Sequence, residues 1–376
     1  MADQFDDIRS YRDHEAREIS TRLFAHPRVS ELINYLIPEL TQESLEKIIS
    51  DINSLWDFQH NLILPIFEKN VRITFNGLTV SGLDKLDKDK AYLFISNHRD
   101  IILDSAVLNY FLHTSGFSTA EIAIGDNLLK EDWIKDLVRL NKSFIVKRGL
   151  DKMEMLRSSK IMSDYIKDTI MNRKESIWIA QRAGRAKDGN DETNRGLLTM
   201  MGLSCEENIL EHFSKLNIVP ISVSYEFDPC DDRKTKEIYS EQTNGNYIKG
   251  ENEDVESMKL GIILPKGNGH IHFGKPLNEE ILKLDSEEKK SVILSSIRDL
   301  IDDEIHSNYK LWPTNYLANE FLNGPQVKSS FTENEKKYFN QRIENILKDL
   351  DGDKKILKEI LLGMYQQPLL NFYKEK

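Results

Sequence analysis

The sequence predicts an α/β fold: a central mixed, largely parallel sheet flanked by helices, with helical extensions at both ends. Short apolar runs alternate with amphipathic stretches between residues 91 and 277, as expected when strands and helices alternate along the chain. Residues 14–68 and 279–376 instead place apolar side chains at three- and four-residue spacings. Such spacing is typical of helices with one buried face.

The same patterns divide the chain into three parts. We predict a helical N-terminal extension (residues 1–69), an α/β core (70–280) and a helical C-terminal segment (281–376). The C-terminal segment has a predicted break around residues 323–335, where Gly, Pro and Ser interrupt the helical pattern. Residues 231–258 are polar and charged, so we predict an exposed excursion from the core there.

The predicted strands follow one another through the core, with helices between most of them. Residues 70–82 alternate apolar and polar side chains around an Asn-Gly pair, which predicts two short strands joined by a turn. Short apolar runs predict the remaining strands, at residues 91–96, 142–148, 176–180, 217–227 and 269–277. Helical spacing predicts the intervening helices, at residues 101–113, 152–170 and 197–216.

The composition limits the classes of partner. The net charge is −11 and the pI is about 5.4, so we expect no nucleic acid partner bound through bulk charge. Two cysteines, Cys205 and Cys230, are too few in 376 residues for a disulfide framework and indicate a reducing, cytosolic setting. The first 20 residues lack the apolar segment of a signal peptide, and no run approaches the length of a membrane span.

One short stretch, ISNHRDIILDSA (residues 95–106), carries the first candidate for catalysis. A neutral imidazole can remove a proton from a hydroxyl group when a carboxylate holds its other nitrogen. Two carboxylates follow His98 closely, Asp100 and Asp104. Asp100 suits the N-cap of a helix that begins with Ile101, and Asp104 lies one turn further. A surface turn with a capping aspartate and an unrelated histidine fits this spacing equally well.

Basic residues cluster in the segments that follow the predicted strands, where α/β sheets bind their ligands. In an acidic chain this clustering suggests an anion site, because arginine suits phosphate. Gly184 and Gly189 in one segment would let backbone amides approach an anion. The alternative is a solvated loop in which Asp188 and Asp191 cancel part of the charge. The basic residues are Arg99, Lys142, Lys147, Arg148, Arg182, Arg185 and Lys187.

These segments resemble the glycerolipid acyltransferases, that is, the glycerol-3-phosphate and 1-acylglycerol-3-phosphate acyltransferases. The resemblance rests on VSGLDKL, AYLFISNHRD with a further aspartate, SFIVKR, AGRAKDG, IVPISVSYE and IHFGKPL. They are similar to the family's four blocks and their flanks, in the same order and with comparable gaps. The resemblance covers about residues 70–280.

The resemblance implies a reaction and a site. His98 would deprotonate the hydroxyl of a glycerol-phosphate-type or related polar lipid acceptor, oriented by an aspartate. The oxygen would attack the thioester of acyl-CoA or acyl carrier protein, with no acyl-enzyme and no cofactor. Arg148, Gly184 and Arg185 would hold the polar head of the acceptor, and Pro220 would shape the acyl-donor wall. The predicted substrate-binding residues also include Arg99, Lys147 and Lys187.

Two departures from the family pattern keep parts of the site open. The family usually has four residues between its histidine and aspartate, whereas five separate His98 from Asp104 and one separates it from Asp100. Asp104 is the better match, because Asp-Ser-Ala leads into an apolar helix. The family's third block has a glutamate before its glycine, where this chain has Ala183. Either the acceptor differs, another carboxylate such as Asp188 substitutes, or activity is impaired.

We therefore predict an O-acyltransferase of phospholipid biosynthesis, peripherally bound to the inner face of the cytoplasmic membrane. Its expected partners are acyl carrier protein or acyl-CoA, the lipid acceptor and the membrane surface. The alternatives are an impaired relative that binds lipid or acyl carrier protein, and a thioester hydrolase in which His98 activates water. We expect no metal, because His270 and His272 share a strand face but have no third ligand nearby in the sequence.

Overall fold

The computed structural model describes residues 4–206, 208–250, 252–325 and 331–374. Its strands are β1 (Phe75–Ser81), β2 (Leu93–Ser96), β3 (Glu121–Gly125), β4 (Ser143–Val146), β5 (Ile177–Ala180), β6 (Ile218–Tyr225) and β7 (Gly267–Phe273). They form one seven-stranded sheet in the order β1-β7-β6-β2-β5-β3-β4. Neighbouring strands are parallel except for β6 and β7. The predicted fold class, a mixed and largely parallel α/β sheet, is confirmed.

Helices precede, separate and follow the strands. Those before the sheet are α1 (Asp13–Phe24), α2 (Pro27–Leu36), α3 (Gln42–Asp51), α4 (Leu55–Phe58) and α5 (Leu64–Thr74). Those between the strands are α6 (Leu103–Thr114), α7 (Asp132–Leu140), α8 (Lys152–Asp168), α9 (Arg195–Met201), α10 (Ile209–Lys215), α11 (Asp231–Asn244) and α12 (Glu253–Ile263). Those after it are α13 (Asn278–Leu282), α14 (Lys290–Ser307), α15 (Pro313–Asn323), α16 (Glu333–Asp349) and α17 (Lys354–Lys374).

Two apolar layers enclose the sheet. Side chains alternate across a strand, so Leu93 and Ile95 of β2 enter one layer while Phe94 enters the other. All three are fully buried. A parallel strand covered on both faces is apolar along its whole length, which explains why the short runs of β2 and β5 were recognisable in the sequence.

The predicted pair of strands at residues 70–82 is wrong. A single strand, β1, begins at Phe75 and continues through the Asn-Gly pair. Its pairing with β7 shifts register between Phe75 and Gly77, so the turn residues sit at a bulge instead of a hairpin. The long-range partner outweighs the local turn preference.

The predicted exposed excursion at residues 231–258 is only partly correct: residues 241–246 and 248–250 are exposed, but other parts of the segment are buried. The segment forms α11 and most of α12, and Lys234 and Ser257 are each 1% exposed. Lys234 Nζ donates to the backbone oxygen of Arg99 at 2.8 Å. Polar composition suggested exposure, but polar groups with partners can be buried.

Several boundaries differ from those predicted. The divisions at residues 69/70 and 280/281 fall inside α5 and α13, and the sequence pattern did not indicate β3 or α7. The predicted break in the C-terminal segment lies between α15 and α16, where residues 326–330 are outside the described part of the chain. Among the helices of the described ranges, none is both long enough and apolar enough to cross a membrane.

Candidate active site

The candidate site forms where β2 ends and the chain turns into α6. The parallel strands β2, β5 and β6 end at the same edge, so the loops that follow them lie together. Asp100 Oδ1 accepts hydrogen bonds from the amides of Ile102 and Leu103, both at 2.9 Å. Asp100 thus caps the turn that leads into α6, but the helix begins at Leu103 with Ile102 as its N-cap, two residues later than predicted. The turn absorbs the extra residue between the histidine and the second aspartate.

The imidazole of the turn pairs with the second aspartate. His98 Nδ1 lies 2.8 Å from Asp104 Oδ2. The same oxygen accepts from the amides of Arg99 at 2.6 Å and Asp100 at 3.0 Å, and Tyr225 donates its hydroxyl to Oδ1 at 3.0 Å. The Asp104 side chain is 0% exposed and that of His98 is 13% exposed. Asp104 is thus the carboxylate that contacts the imidazole, whereas the base role of His98 stays a prediction.

This geometry leaves one imidazole nitrogen for chemistry. When Nδ1 donates to Asp104, Nε2 of the neutral ring can accept a proton from a hydroxyl group. The indole of Trp178 lies edge to face with the His98 ring, at 5.9 Å between centroids. Burial, with Asp104 beside it, raises the pKa of Tyr225 well above its usual value, so its hydroxyl remains a donor to the carboxylate.

The second carboxylate oxygen of Asp100, Oδ2, is buried and has no hydrogen-bond partner within the described ranges. Burial, followed by the neighbouring Asp104, raises the pKa of Asp100. On α12, a Cβ at Gly261 would lie 2.3 Å from this oxygen. Helix α12 can therefore close over the histidine turn only because residue 261 has no side chain.

The loop after β5 carries the third block and joins the histidine turn. The amide of Ala186 donates to the backbone oxygen of His98 at 2.8 Å. Gly184 has a φ of 79°, a left-handed conformation that favours glycine, and it is exposed together with Ala183. Asp188, the predicted substitute for the missing glutamate, lies 3.6 Å from Arg182 and is 59% exposed. It stays an unassigned surface carboxylate.

Arg185 of the same loop extends inward. Its Nη1 is buried without a hydrogen-bond partner among the described residues. Burial lowers the pKa of this guanidinium, but Cys230, Asp100 and Asp228 outweigh burial and the pKa is raised overall. Arg185 therefore stays charged, with one buried donor that has no partner among the described residues.

Arg99 lies in a buried network. Its Nη2 is 2.5 Å from Asp191 Oδ2, and the two side chains are 10% and 0% exposed. Asp191 also accepts from Asn97 Nδ2 at 3.2 Å and from the Tyr309 hydroxyl at 2.5 Å. The turn after β2, the loop after β5 and the C-terminal segment are thus joined by one carboxylate. Because Asp191 already neutralises it, Arg99 has an evident structural role, and its predicted substrate contact stays untested.

Residues 77–224 match the family model described as Acyltransferase. Over these residues the chain is similar to the acyltransferase family, and we refer to residues 77–224 as the acyltransferase domain. The matched range runs from within β1 to within β6 and contains the His98 turn, β4 and the loop after β5. The family resemblance indicated by the sequence motifs is thereby confirmed.

The chain is also similar to a solved structure, the 1-acyl-sn-glycerophosphate (LPA) acyltransferase PlsC from Thermotoga maritima. The two share 12% sequence identity, with a TM-score of 0.37. The alignment covers 78% of this chain and 97% of that chain. No curated protein matches the sequence.

The acyltransferase domain places the basic residues that follow β4 away from the histidine turn. Lys147 and Arg148 follow β4, which is three strands from β2, roughly 14 Å at the usual strand spacing. Arg148 extends over the end of β3, since a Cβ at Gly125 would lie 2.7 Å from Arg148 Nε. Lys147 lies 3.7 Å from Asp7. The sheet therefore brings both cations to the edge that holds His98, at a distance set by the strands between them.

The remaining predicted residues have partners within the fold. Lys187 forms an ion pair with Glu237 of α11. Pro220 is buried in β6, opposite Ile95 of β2, and its predicted contact with the acyl donor stays untested. Within the described ranges, no group of three or more His, Cys, Asp or Glu side chains could hold a metal ion.

The C-terminal helices cover part of the acyltransferase domain. A Cβ at Gly189 would lie 2.2 Å from the backbone oxygen of Met364, so α17 packs directly on the third-block loop. A cavity of about 40 Å³ remains between Arg99, Tyr225, Tyr309 and this helix. It has room for a water molecule but not for an acyl chain.

Sequence reasoning assigned no role to two hydroxyls that bind the buried carboxylates. Tyr225 contacts Asp104, and Tyr309 contacts Asp191. The position of Tyr225 at the end of a buried strand was a usable signal, since polar residues at strand ends gather at one edge. Tyr309 lies in the C-terminal segment, 118 residues from its partner, and no local pattern marks it.

Proposed function

We propose that the chain transfers a fatty acyl group from acyl-CoA or acyl carrier protein to the hydroxyl of a glycerol-phosphate-type or related polar lipid acceptor. The His98–Asp104 pair within an acyltransferase-family domain is the main support. A buried carboxylate that holds one nitrogen of a partly exposed imidazole is the arrangement that a histidine base requires. The proposed reaction therefore needs no group beyond the chain and its two substrates.

In the proposed step, His98 Nε2 takes the proton of the acceptor hydroxyl as its oxygen attacks the thioester carbonyl. The new C–O bond forms, the C–S bond breaks, and its electron pair passes to sulfur. The imidazolium then gives its proton to the departing thiolate. Asp104 stabilises the imidazolium between the two transfers and keeps the ring in one orientation.

Arg148 and Arg185 are the proposed ligands of the acceptor's phosphate or other polar head. In the described part of the chain, the Arg148 guanidinium forms no ion pair, and Arg185 has an unpaired nitrogen. Arg99, by contrast, is neutralised by Asp191. The forked geometry of arginine suits an anion with several oxygens.

We also propose that the reaction belongs to phospholipid biosynthesis and takes place at the inner face of the cytoplasmic membrane. At least one proposed substrate is amphiphilic and resides in or near a bilayer. A chain that binds peripherally would reach such a substrate from the membrane surface.

The test is a thioester-release assay with acyl-CoA or acylated carrier protein and a panel of polar acceptors. We expect the wild-type chain to release thiol only when an acceptor hydroxyl is present. His98→Ala should lower this rate by about 10²- to 10⁴-fold, the usual contribution of a general base. Unfolding by denaturant should show that the variant is folded.

His272→Ala is the matched control, because His272 is also partly buried and hydrogen-bonded, to Ser81 at 2.8 Å. It should keep the wild-type rate to within a few-fold. Full activity in His98→Ala would contradict the mechanism. Thiol release that needs His98 but no acceptor would identify a hydrolase. No thiol release, with or without an acceptor, would indicate a binding protein.

A further inference from the structure

The first turns of α8 extend beyond the body of the protein. Residues 151–157 are all exposed, and the helix does not bury a side chain until Met162. Three long apolar side chains lie within this stretch: Met153 is 62% exposed, Met155 54% and Leu156 57%. We call residues 151–157 the α8 tip. An exposed apolar cluster of this kind usually marks an interaction surface.

The apolar side chains point in different directions. Successive residues of an α-helix are rotated by about 100°, so Met153 and Met155 lie on nearly opposite sides of the helix. A flat protein surface could cover one side of the tip but not both. A fluid lipid layer can surround a helix end on every side, which makes it the better match for this arrangement.

The tip is also locally basic in an acidic chain. Residues 147–160 contain five basic and two acidic side chains, whereas the whole chain has a net charge of −11. The basic side chains are Lys147, Arg148, Lys152, Arg157 and Lys160. Cations that surround an apolar insertion are complementary to the headgroups of anionic lipids.

The tip lies at the edge of the sheet that holds the candidate site. Strand β4 ends at Val146 and α8 begins at Lys152, so the tip follows the carboxyl end of β4. His98 follows the carboxyl end of β2, which runs in the same direction. A bilayer contacted by the tip would therefore lie at the same end of the sheet as the imidazole.

We infer that the α8 tip docks the protein on an anionic lipid bilayer, with Met153, Met155 and Leu156 in the interfacial layer. Lys152 and Arg157 contact the lipid headgroups. The inference rests on the proposed function for its purpose, since a lipid acceptor must be reached in a membrane. Its own evidence is the exposure, the direction and the charge of the tip, so it can be tested separately.

The test measures co-sedimentation with vesicles of phosphatidylcholine alone and of phosphatidylcholine mixed with phosphatidylglycerol. We expect the wild-type chain to bind the anionic vesicles and to dissociate at high salt. The triple variant Met153→Ser, Met155→Ser, Leu156→Ser should lower the partition coefficient by at least about tenfold, because interfacial binding scales with buried apolar area. Lys152→Glu with Arg157→Glu should remove the preference for anionic vesicles.

The matched control is Leu282→Ser with Lys283→Glu. Leu282 is 53% exposed at the end of α13. This helix lies at the end of the sheet opposite to His98, since the Leu277 amide donates to the backbone oxygen of Ile218, the first residue of β6. This variant should bind vesicles as the wild type does. Unchanged binding by the serine variant, or an equal loss in the control, would overturn the inference. The inference would also be overturned if the tip bound an acidic carrier protein instead of vesicles, that is, if the wild type bound the carrier protein and the serine variant did not.

Acyl transfer to soluble glycerol 3-phosphate, assayed without vesicles, separates this inference from the proposed function. The serine variant should keep the wild-type rate there and lose activity only with acceptors embedded in vesicles. If the wild type lacks acyl transfer yet binds vesicles through the tip, the docking surface stands and the proposed function fails. If acyl transfer occurs but the serine variant binds vesicles as the wild type does, the proposed function stands and the docking surface fails.

Discussion

Two groups of basic side chains lie at the same edge of the sheet and differ in burial. Near the histidine turn, Arg99 and Lys234 are both buried, and each contacts a carboxylate. After β4, Lys147, Arg148 and Lys152 are exposed. The sequence presents all five alike, as cations in an acidic chain. The difference teaches that the buried cations hold loops together, whereas the exposed ones, even Lys147 with its exposed partner Asp7, remain accessible to a ligand.

Arg99→Met gives the largest expected effect on stability. The variant leaves the Asp191 carboxylate buried without its counter-charge, so the free energy of unfolding should fall by about 3–5 kcal/mol. Denaturant unfolding measures this change. Adding Asp191→Asn should restore part of the loss, because the second substitution removes the stranded charge. A loss below about 1 kcal/mol would place Arg99 with the exposed cations, whose ion pairs contribute little.

Asp302→Asn tests a further buried ionisable group through the pH dependence of the free energy of unfolding. Asp302 accepts hydrogen bonds from the amide and hydroxyl of Thr193 at 2.9 and 2.6 Å, and burial raises its pKa from 3.8 to about 6. The native state therefore holds this proton more tightly than the unfolded state does. Stability contributed by Asp302 is highest below pH 3.8 and decreases as the pH rises towards about 6.

Asparagine keeps the acceptor oxygen but cannot titrate. The decrease in unfolding free energy between pH 4 and 6 should shrink by about 2 kcal/mol in Asp302→Asn. The measurement is denaturant unfolding at several pH values, and Asp299→Asn, at an exposed carboxylate in the same helix, is its control. An unchanged pH profile in Asp302→Asn would show that this carboxyl does not titrate as a buried group.

Arg148→Gln gives the smallest expected effect on stability. The side chain is exposed and forms no ion pair in the described ranges, so the unfolding free energy should change by less than about 0.5 kcal/mol. If Arg148 binds the acceptor's phosphate, KM for glycerol 3-phosphate should rise about tenfold, the loss of one charged hydrogen bond, with little change in kcat. A loss of stability like that of Arg99→Met would remove the distinction between the two groups.

The strands at the centre of the sheet were predictable because burial on both faces makes them apolar throughout. Strand β3 was not, because it begins with Glu121, which is 1% exposed. Its carboxylate is satisfied by Ser10, Tyr165 and Arg173. These partners come from distant parts of the chain, and a local pattern cannot reveal them.

The candidate site was predictable where its parts are close in sequence. His98 and Asp104 lie six positions apart and do contact each other, and Asp100 accepts hydrogen bonds from the turn that leads into α6. The burial of Arg99 was not predictable, since it depends on Asp191, 92 residues away. The distance of Arg148 from the imidazole depends on strand order, which the sequence does not state.

Strand β1 has a consequence for synthesis of the chain. It stands at an edge of the sheet beside β7, with Thr79 opposite His270, 191 residues later. At about 5–20 residues per second, a ribosome needs roughly 10–40 s to add that many residues. For that interval β1 has no neighbour, and an unpaired strand is a template for association with other nascent chains. The rate of translation across residues 82–266 should therefore affect the yield of folded protein. Chaperones that shield β1 during this interval should raise that yield.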